Sequence, residues 1–304
     1  MKILIVGAGA IGGYFGGRLA EAGADVTFLV REHRQRQLEA DGLVIESLHG
    51  HFRGKVKTIT RKDEHPAFDV ILIALKAYHL EGTLQDIAEY VHEKTLLVPL
   101  LNGYRHYEAL IGLFGKENVL GGLCFIESTV HPDTGAILQT SPRHDIVFGG
   151  WDGNEDERIH RLYKAFKEAN CNAVMTDNIV KDIWQKYILI TSMSGITTLF
   201  RSAIGPILEN RFADEAYRRL IGEICTIAND QADGLPEDIE ATIYQTSTSL
   251  TYGMKSSMLR DMEKGLPTEG DHLQGYLLEA VPGHYPVLEL VYNNLSLYEM
   301  NRSS

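Results

Sequence analysis

Lys186 belongs to a stretch in which Ile183, Lys186, Ile190, Met193, Ser194 and Thr197 fall on one helical face at i, i+3, i+4 and i+7 spacing. A lysine inside a mostly apolar stripe is held partly out of water. Its ammonium then gives up a proton readily, as a general acid must. The alternative is a lysine at the border of the stripe that extends its amine to solvent. Ser256-Ser257 lies in a later helical run, which Gly265-Leu266-Pro267 breaks, and Thr268-Glu269-Gly270-Asp271 reads as the cap of the next helix. Glu269 then stands in a first turn, where the helix dipole also favours a carboxylate for purely structural reasons.

A second group of residues points to a nucleotide. Lys2-Ile-Leu-Ile-Val6 is a short apolar strand that runs straight into Gly7-Ala8-Gly9-Ala10-Ile11-Gly12 and a helical run from Tyr14 to Ala22. In that order Gly7 makes the tight turn, Gly9 leaves room for a diphosphate, and Gly12 lets the helix lie close on its strand. The free N–H groups at Ala10 and Ile11 face the anion. The next strand, Ala24 to Val30, ends at Arg31, where an NAD or FAD protein carries an acid for the ribose hydroxyls. A guanidinium, with Arg34 nearby, pairs instead with a 2′-phosphate, so NADP is the expected cofactor.

These residues need elements to hold them. Strand patterns at Leu43 to Glu46, Lys55 to Ile59, Asp69 to Leu75 and Thr95 to Leu101 alternate with helical stretches, as in βαβ units around a parallel sheet. Gly7, Arg31, Lys76 and Asn102-Gly103 all follow such strands, at the carboxyl edge where open parallel sheets bind ligands. Further β patterns occur near Val119 to Thr129, Ala136 to Thr140 and Asp145 to Gly149, then a helix Glu157 to Glu168 and a short run Asn172 to Met175. Beyond Asp177 the spacing is helical throughout: Asn178 to Phe200, Arg211 to Ala232, Pro236 to Arg260, Glu269 to Ala280 and Pro286 to Met300. The expected division is an α/β dinucleotide-binding domain over 1–175 and an all-α substrate domain over 176–304.

Composition narrows the function classes. At 304 residues two domains are the natural prior. A formal charge of −12 argues against nucleic acid and anionic membrane surfaces, so an anionic ligand needs a local basic cluster. No stretch has the unbroken apolar length of a membrane span. Cys124, Cys171 and Cys225 are widely separated and odd in number, which suits a reducing cytoplasm rather than a disulfide framework. The histidines make no ligand pair with a carboxylate, so no metal is expected. The apolar faces of the helical domain are suited to a homodimer.

Taken in order and spacing, Gly7-x-Gly-x-x-Gly12, Arg31, Leu75-Lys76-Ala77, Asn102-Gly103, Trp184-x-Lys186, Ser257 and Thr268-Glu269 with Asp271 resemble the ketopantoate reductase (2-dehydropantoate 2-reductase) family nearly end to end. The resemblance implies a Rossmann domain followed by a helical domain, and NADPH-dependent reduction of 2-dehydropantoate to (R)-pantoate in pantothenate synthesis. It gives Lys186 the part of general acid and Glu269 that of a ligand to the substrate hydroxyl. Asn102 and Ser257 would line the substrate pocket, with Arg31 and Lys76 serving the cofactor. One departure stands out: family members usually carry asparagines four and eight residues after the lysine, and this chain has Ile190 and Ser194. Ser194 is the substrate-binding candidate there, but isoleucine cannot replace an amide. Two alternatives therefore stay open: an NADP-dependent reductase of another 2-oxo or 3-hydroxy acid, and a nucleotide-sensing module without turnover.

Overall fold

The computed structural model describes residues 1–61, 63, 67–153 and 156–302. The chain divides into two units, one of Met1–Leu101 with His106–Ile179 and one of Asn102–Arg105 with Val180–Ser304.

In the first unit, five short strands form a parallel sheet: β1 (Lys2–Val6), β2 (Asp25–Leu29), β5 (Lys57–Ile59), β6 (Val70–Ile73) and β7 (Leu96–Pro99). Their order is β5-β2-β1-β6-β7. In β1 both alternating sets are buried, Ile3 and Ile5 on one face and Leu4 and Val6 on the other, as a sheet covered on both sides requires. Val6 pairs with Leu29 on one side and with Ile73 on the other, so neighbouring strands end level and their loops gather along one edge.

The sequence patterns suggest one parallel sheet, but the structure has a second, mixed one. It contains β3 (Leu43–Ser47), β4 (Phe52–Gly54), β8 (Gly121–Val130), β9 (Ile137–Gly149) and β10 (Asn172–Met175). The two β patterns around 136–149 are a single strand, β9. Its apparent break at Pro142 coincides with the register shift between Ile126 and Ser128 of β8, where the ladder asks no N–H of the proline. Helix α1 (Ala10–Glu21) lies between the two sheets because glycines remove its bulk on both sides. A Cβ at Gly16 would meet Ile5 Cγ1 of the first sheet at 2.7 Å, and one at Gly17 would meet Ile45 Cδ1 of the second at 2.5 Å. The other helices of this unit are α2 (Glu32–Asp41), α3 (Leu80–Ala88), α4 (Arg105–Phe114) and α5 (Glu157–Glu168).

The second unit is helical. Its central element is α6 (Ile179–Phe200), surrounded by α7 (Ile204–Glu209), α8 (Arg211–Gln231), α9 (Ile239–Thr248), α10 (Ser257–Glu263), α11 (Tyr276–Ala280) and α12 (Pro286–Arg302). Trp184, Tyr187, Ile188 and Ile196 of α6 are buried against residues such as Tyr217, Leu220 and Val291. Thr191, Ser192, Ser194, Thr197 and Thr198 of the same helix are buried too, several with hydroxyls turned back onto carbonyls three or four residues earlier.

Two helices expected to be continuous are interrupted. The run from Pro236 to Arg260 breaks after Thr248, where the carbonyls of Tyr252 and Met254 accept from the N–H groups of Gly205 and Ile204 at the start of α7. Helix α7 itself was not anticipated, and it tolerates Pro206 because the first turn has N–H groups to spare. The run from Glu269 opens as a wide π turn, Asp271–Gly275, before α11. There the Leu273 carbonyl accepts a hydrogen bond from the Tyr187 hydroxyl at 2.6 Å. Among the described residues, no helix is long and apolar enough to cross a membrane.

Candidate active site

The nucleotide end of the first unit is built by its glycines. Gly7 has φ +96°, a region that side chains rarely adopt, and a Cβ there would sit 2.8 Å from the Ala74 carbonyl oxygen. A Cβ at Gly12 would approach the Gly7 carbonyl oxygen to 2.0 Å, so only glycine lets α1 start this close to β1. Gly9 differs, since a Cβ there meets nothing within 4 Å. It caps α1 in extended conformation without a side-chain partner, leaving the first N–H groups, at Ala10 and Ile11, without intrahelical acceptors. The result is an open cradle below a helix N-terminus, which suits a diphosphate.

A cavity of about 860 Å³ continues from this cradle along the ends of β1 and β2, and Arg31, Arg34, Arg36 and Arg61 all line it. Four arginines against two acids, Glu32 and Asp86, make the lining of this cavity a local exception in a chain of net charge −12, and that excess favours an anionic ligand. Arg31 is exposed and extended just before α2. Arg34 is half-buried, with Nη1 donating to Gln37 Oε1 at 2.5 Å and Nη2 buried with no hydrogen-bond partner. Burial pulls its pKa below the usual arginine value. His79, on the far wall, is likewise held below the ordinary imidazole value, first by burial and then by the charge of Arg31. These groups fit a phosphorylated nucleotide. Lys76 lies just before the short 3₁₀ turn Ala77–His79, and its neighbours Leu75 and Tyr78 line the cavity rather than Lys76 itself. Arg36 and Arg61 were not singled out from the sequence. Arg36 sits in an ordinary polar helix face, and Arg61 follows β5 in a loop without a recognisable pattern.

In the second unit Lys186 is buried, at 8% exposure, inside α6. Two residues earlier, Trp184 stacks on Tyr104 with ring centroids 5.0 Å apart and planes inclined by 29°. This stack, worth about 0.5–1.5 kcal/mol beyond area burial, fastens the Asn102–Gly103 turn to the lysine's helix. Gly103 takes φ +91° in that turn, while Asn102 is half-exposed. Glu269 is half-buried at the entrance to the π turn, and its carbonyl accepts from Leu273 N at 2.9 Å. The residue before it, Thr268, gives both its N–H and its hydroxyl to Glu299 Oε1, at 2.6 and 2.8 Å. Asn102, Lys186 and Glu269 therefore stand on three segments that are bound to one another.

The other two candidates are placed differently. Ser257 is exposed in the first turn of α10. Its neighbour Ser256 caps that helix by accepting from Leu259 N and is hydrogen-bonded to Thr197 of α6 at 2.8 Å. Thr197 is eleven residues from Lys186, about 16 Å along the helix axis. Ser194 is 4% exposed, and its hydroxyl accepts from Gln274 Nε2 at 3.1 Å. The same Nε2 donates to the Thr191 carbonyl at 3.0 Å, while Gln274 Oε1 and Thr191 Oγ1 are buried without partners. Sequence reading missed Gln274, a buried amide that reaches α6 from a segment 80 residues away.

A Rossmann unit with a basic nucleotide cavity and a helical unit with a buried lysine define an oxidoreductase that uses a nicotinamide nucleotide on a CH–OH group. The chain belongs to the ketopantoate reductase family: the profile described as "Ketopantoate reductase PanE/ApbA" matches residues 3–153, and that of its C-terminal region matches 178–299. It is 48% identical to the uncharacterised oxidoreductase YkpB of Bacillus subtilis (strain 168), over 99% of this chain and 100% of the relative. It is 29% identical to the 2-dehydropantoate 2-reductase of Aquifex aeolicus (strain VF5), over 92% and 90% of the two chains. Among solved structures, the 2-dehydropantoate 2-reductase of Geobacter metallireducens GS-15 superposes with a TM-score of 0.88 at 27% identity, covering 98% of this chain and 99% of the other.

Proposed function

We propose that this protein reduces a 2-oxo acid to its (R)-2-hydroxy acid with NADPH, and that 2-dehydropantoate, giving (R)-pantoate, is its substrate. The observation that carries the reading is Lys186, an ammonium kept almost wholly out of water beside the segment that bears Asn102. NADPH, when bound, supplies the hydride to the keto carbon. Lys186 Nζ gives its proton to the carbonyl oxygen and stabilises the negative charge that grows there. Glu269 accepts a hydrogen bond from the substrate hydroxyl, and Asn102 orients the acid; Ser257, exposed on α10 beside the Thr197 end of α6, is left out of the set. Ser194 is the least available of the set, since Gln274 already engages its hydroxyl. Arg31, with Arg34 beside it, takes the 2′-phosphate, and Lys76 supports the cofactor from the next strand end.

A second reading is favoured by one specific feature. Ile190 is apolar and half-buried one turn beyond Lys186, which suits a 2-oxo acid that lacks the hydroxymethyl group. Turnover of 2-dehydropantoate, 2-oxoisovalerate and pyruvate with NADPH and with NADH tests both readings and the cofactor choice together. The expected order has 2-dehydropantoate first and NADPH ahead of NADH by about 10–100-fold in kcat/KM, the worth of one or two hydrogen bonds to a charged group. Arg31→Ala is expected to erase most of that preference. A higher kcat/KM for 2-oxoisovalerate would establish the second reading, and tight NADPH binding without turnover of any acid would leave a nucleotide sensor.

Helix α12 exposes Leu290, Leu297 and Met300 at 56%, 57% and 64%, in i, i+7, i+10 register along one side. Such a stripe supports pairing with a second copy. Light scattering is expected to give twice the 33.9 kDa chain mass, and a monomer at micromolar concentration would contradict it.

A further inference from the structure

His272 is the second residue of the π turn that follows Glu269, and its ring faces the Asn102–Gly103 turn. A Cβ at Gly103 would meet His272 Cδ2 at 3.1 Å and Nε2 at 3.3 Å, and Leu273 Cδ2 at 2.9 Å, so only a glycine admits the ring this closely. The imidazole is also hydrogen-bonded to the backbone of Asn102. It thus spans two segments that are far apart in sequence, one carrying Asn102 and the other Glu269. π turns are rare and occur frequently at functional positions, since the extra residue re-aims the side chains of one helical turn.

Resting on the reading above, in which Asn102 meets the substrate, we infer that His272 is a positioning residue for the reduction. Its ring seats the Asn102–Gly103 turn on the bend that carries Glu269, and so sets where the asparagine amide stands. The charges around the ring bear on its protonation. Burial, the largest influence, holds His272 below the ordinary imidazole value of 6.5. The Glu269 carboxylate opposes that shift, Arg105 on the facing turn adds to it, and the bond to Asn102 favours the charged ring. Arg105 is itself paired with Glu279 at 3.1 Å, and the neighbouring Asp271 takes the Tyr292 hydroxyl at 2.9 Å. The bond to Asn102 persists in the charged ring, so the ring seats the turn in both protonation states.

The test compares His272→Phe, which keeps a ring but cannot make the bond, with His272→Gln, which keeps a donor. In His272→Phe the KM for the oxo acid should rise about tenfold, the worth of one hydrogen bond, with kcat and NADPH affinity little changed, and His272→Gln should recover most of the loss. Hydrogen exchange over Asn102–Arg105 should quicken in His272→Phe and recover in His272→Gln, a readout that needs no turnover. A KM within twofold of wild type in His272→Phe, or unchanged exchange over the turn, overturns the inference. If wild type reduces none of the acids, the proposed function falls and the exchange result alone decides the role of His272.

Discussion

Lys186→Ala is expected to lower kcat for oxo-acid reduction by about 10²–10⁴-fold, the usual worth of a general acid, while NADPH binds with unchanged affinity. The residue is 8% exposed within the longest helix of its unit, and on the proposed mechanism its removal takes away both the proton donor and the positive charge that would face the developing alkoxide. A structural role would show itself differently. Truncation to alanine also opens a cavity and strips a neighbour of its partner, so stability is better read from a substitution that keeps the stem. Lys186→Met, which keeps an apolar stem of similar length, should be as inactive as the alanine variant and at least as stable. A kcat within threefold of wild type in either variant would remove Lys186 from the mechanism.

Gly9, the N-cap of α1, and Gly12, in the first turn of α1, should separate folding from nucleotide binding. In Gly12→Ala the new methyl lies 2.0 Å from the Gly7 carbonyl oxygen, so α1 must move off β1. Overpacking of this kind costs about 1–3 kcal/mol, or several degrees in melting temperature, and nucleotide affinity should fall with it. In Gly9→Val the Cβ has 4 Å of open space around it and the backbone, at φ −86° and ψ −160°, admits any residue. Stability should therefore change by no more than about 1 kcal/mol, the scale of N-cap preferences. The branched side chain occupies the cradle below the helix N-terminus, so NADPH affinity should weaken by about 100-fold or more, as for loss of the close phosphate approach. Fluorescence titration and thermal melting of the two variants check this directly. Wild-type affinity in Gly9→Val would mean that the diphosphate lies elsewhere.

Much of the nucleotide half was legible because its signals are local. A β-branched strand, a glycine turn and a helix in immediate succession specify the first βα unit, and Arg31 follows the next strand as the reading required. Helix α5 was also legible residue for residue, and the short run that became strand β10 was bounded correctly though not read as a strand. The second sheet was not, because β3 pairs with β9 across about 90 residues and nothing in either segment names the other. The broken helices failed for a related reason: the carbonyls at Tyr252, Met254 and Leu273 find partners outside their own helix, and those partners outweigh helical periodicity.

The candidate site divides along the same line. The sequence alone placed a glycine turn between strand and helix, an arginine just after the next strand, and a lysine within an apolar helical stripe, since each depends on neighbours within a turn or a strand. Tertiary structure alone decided that four arginines share one cavity, that Asn102 belongs with the helices rather than with the strand it follows, and that Gln274 occupies the Ser194 hydroxyl. Each of these is a contact between segments tens of residues apart, fixed by burial and hydrogen-bond geometry that only the packed chain brings into being.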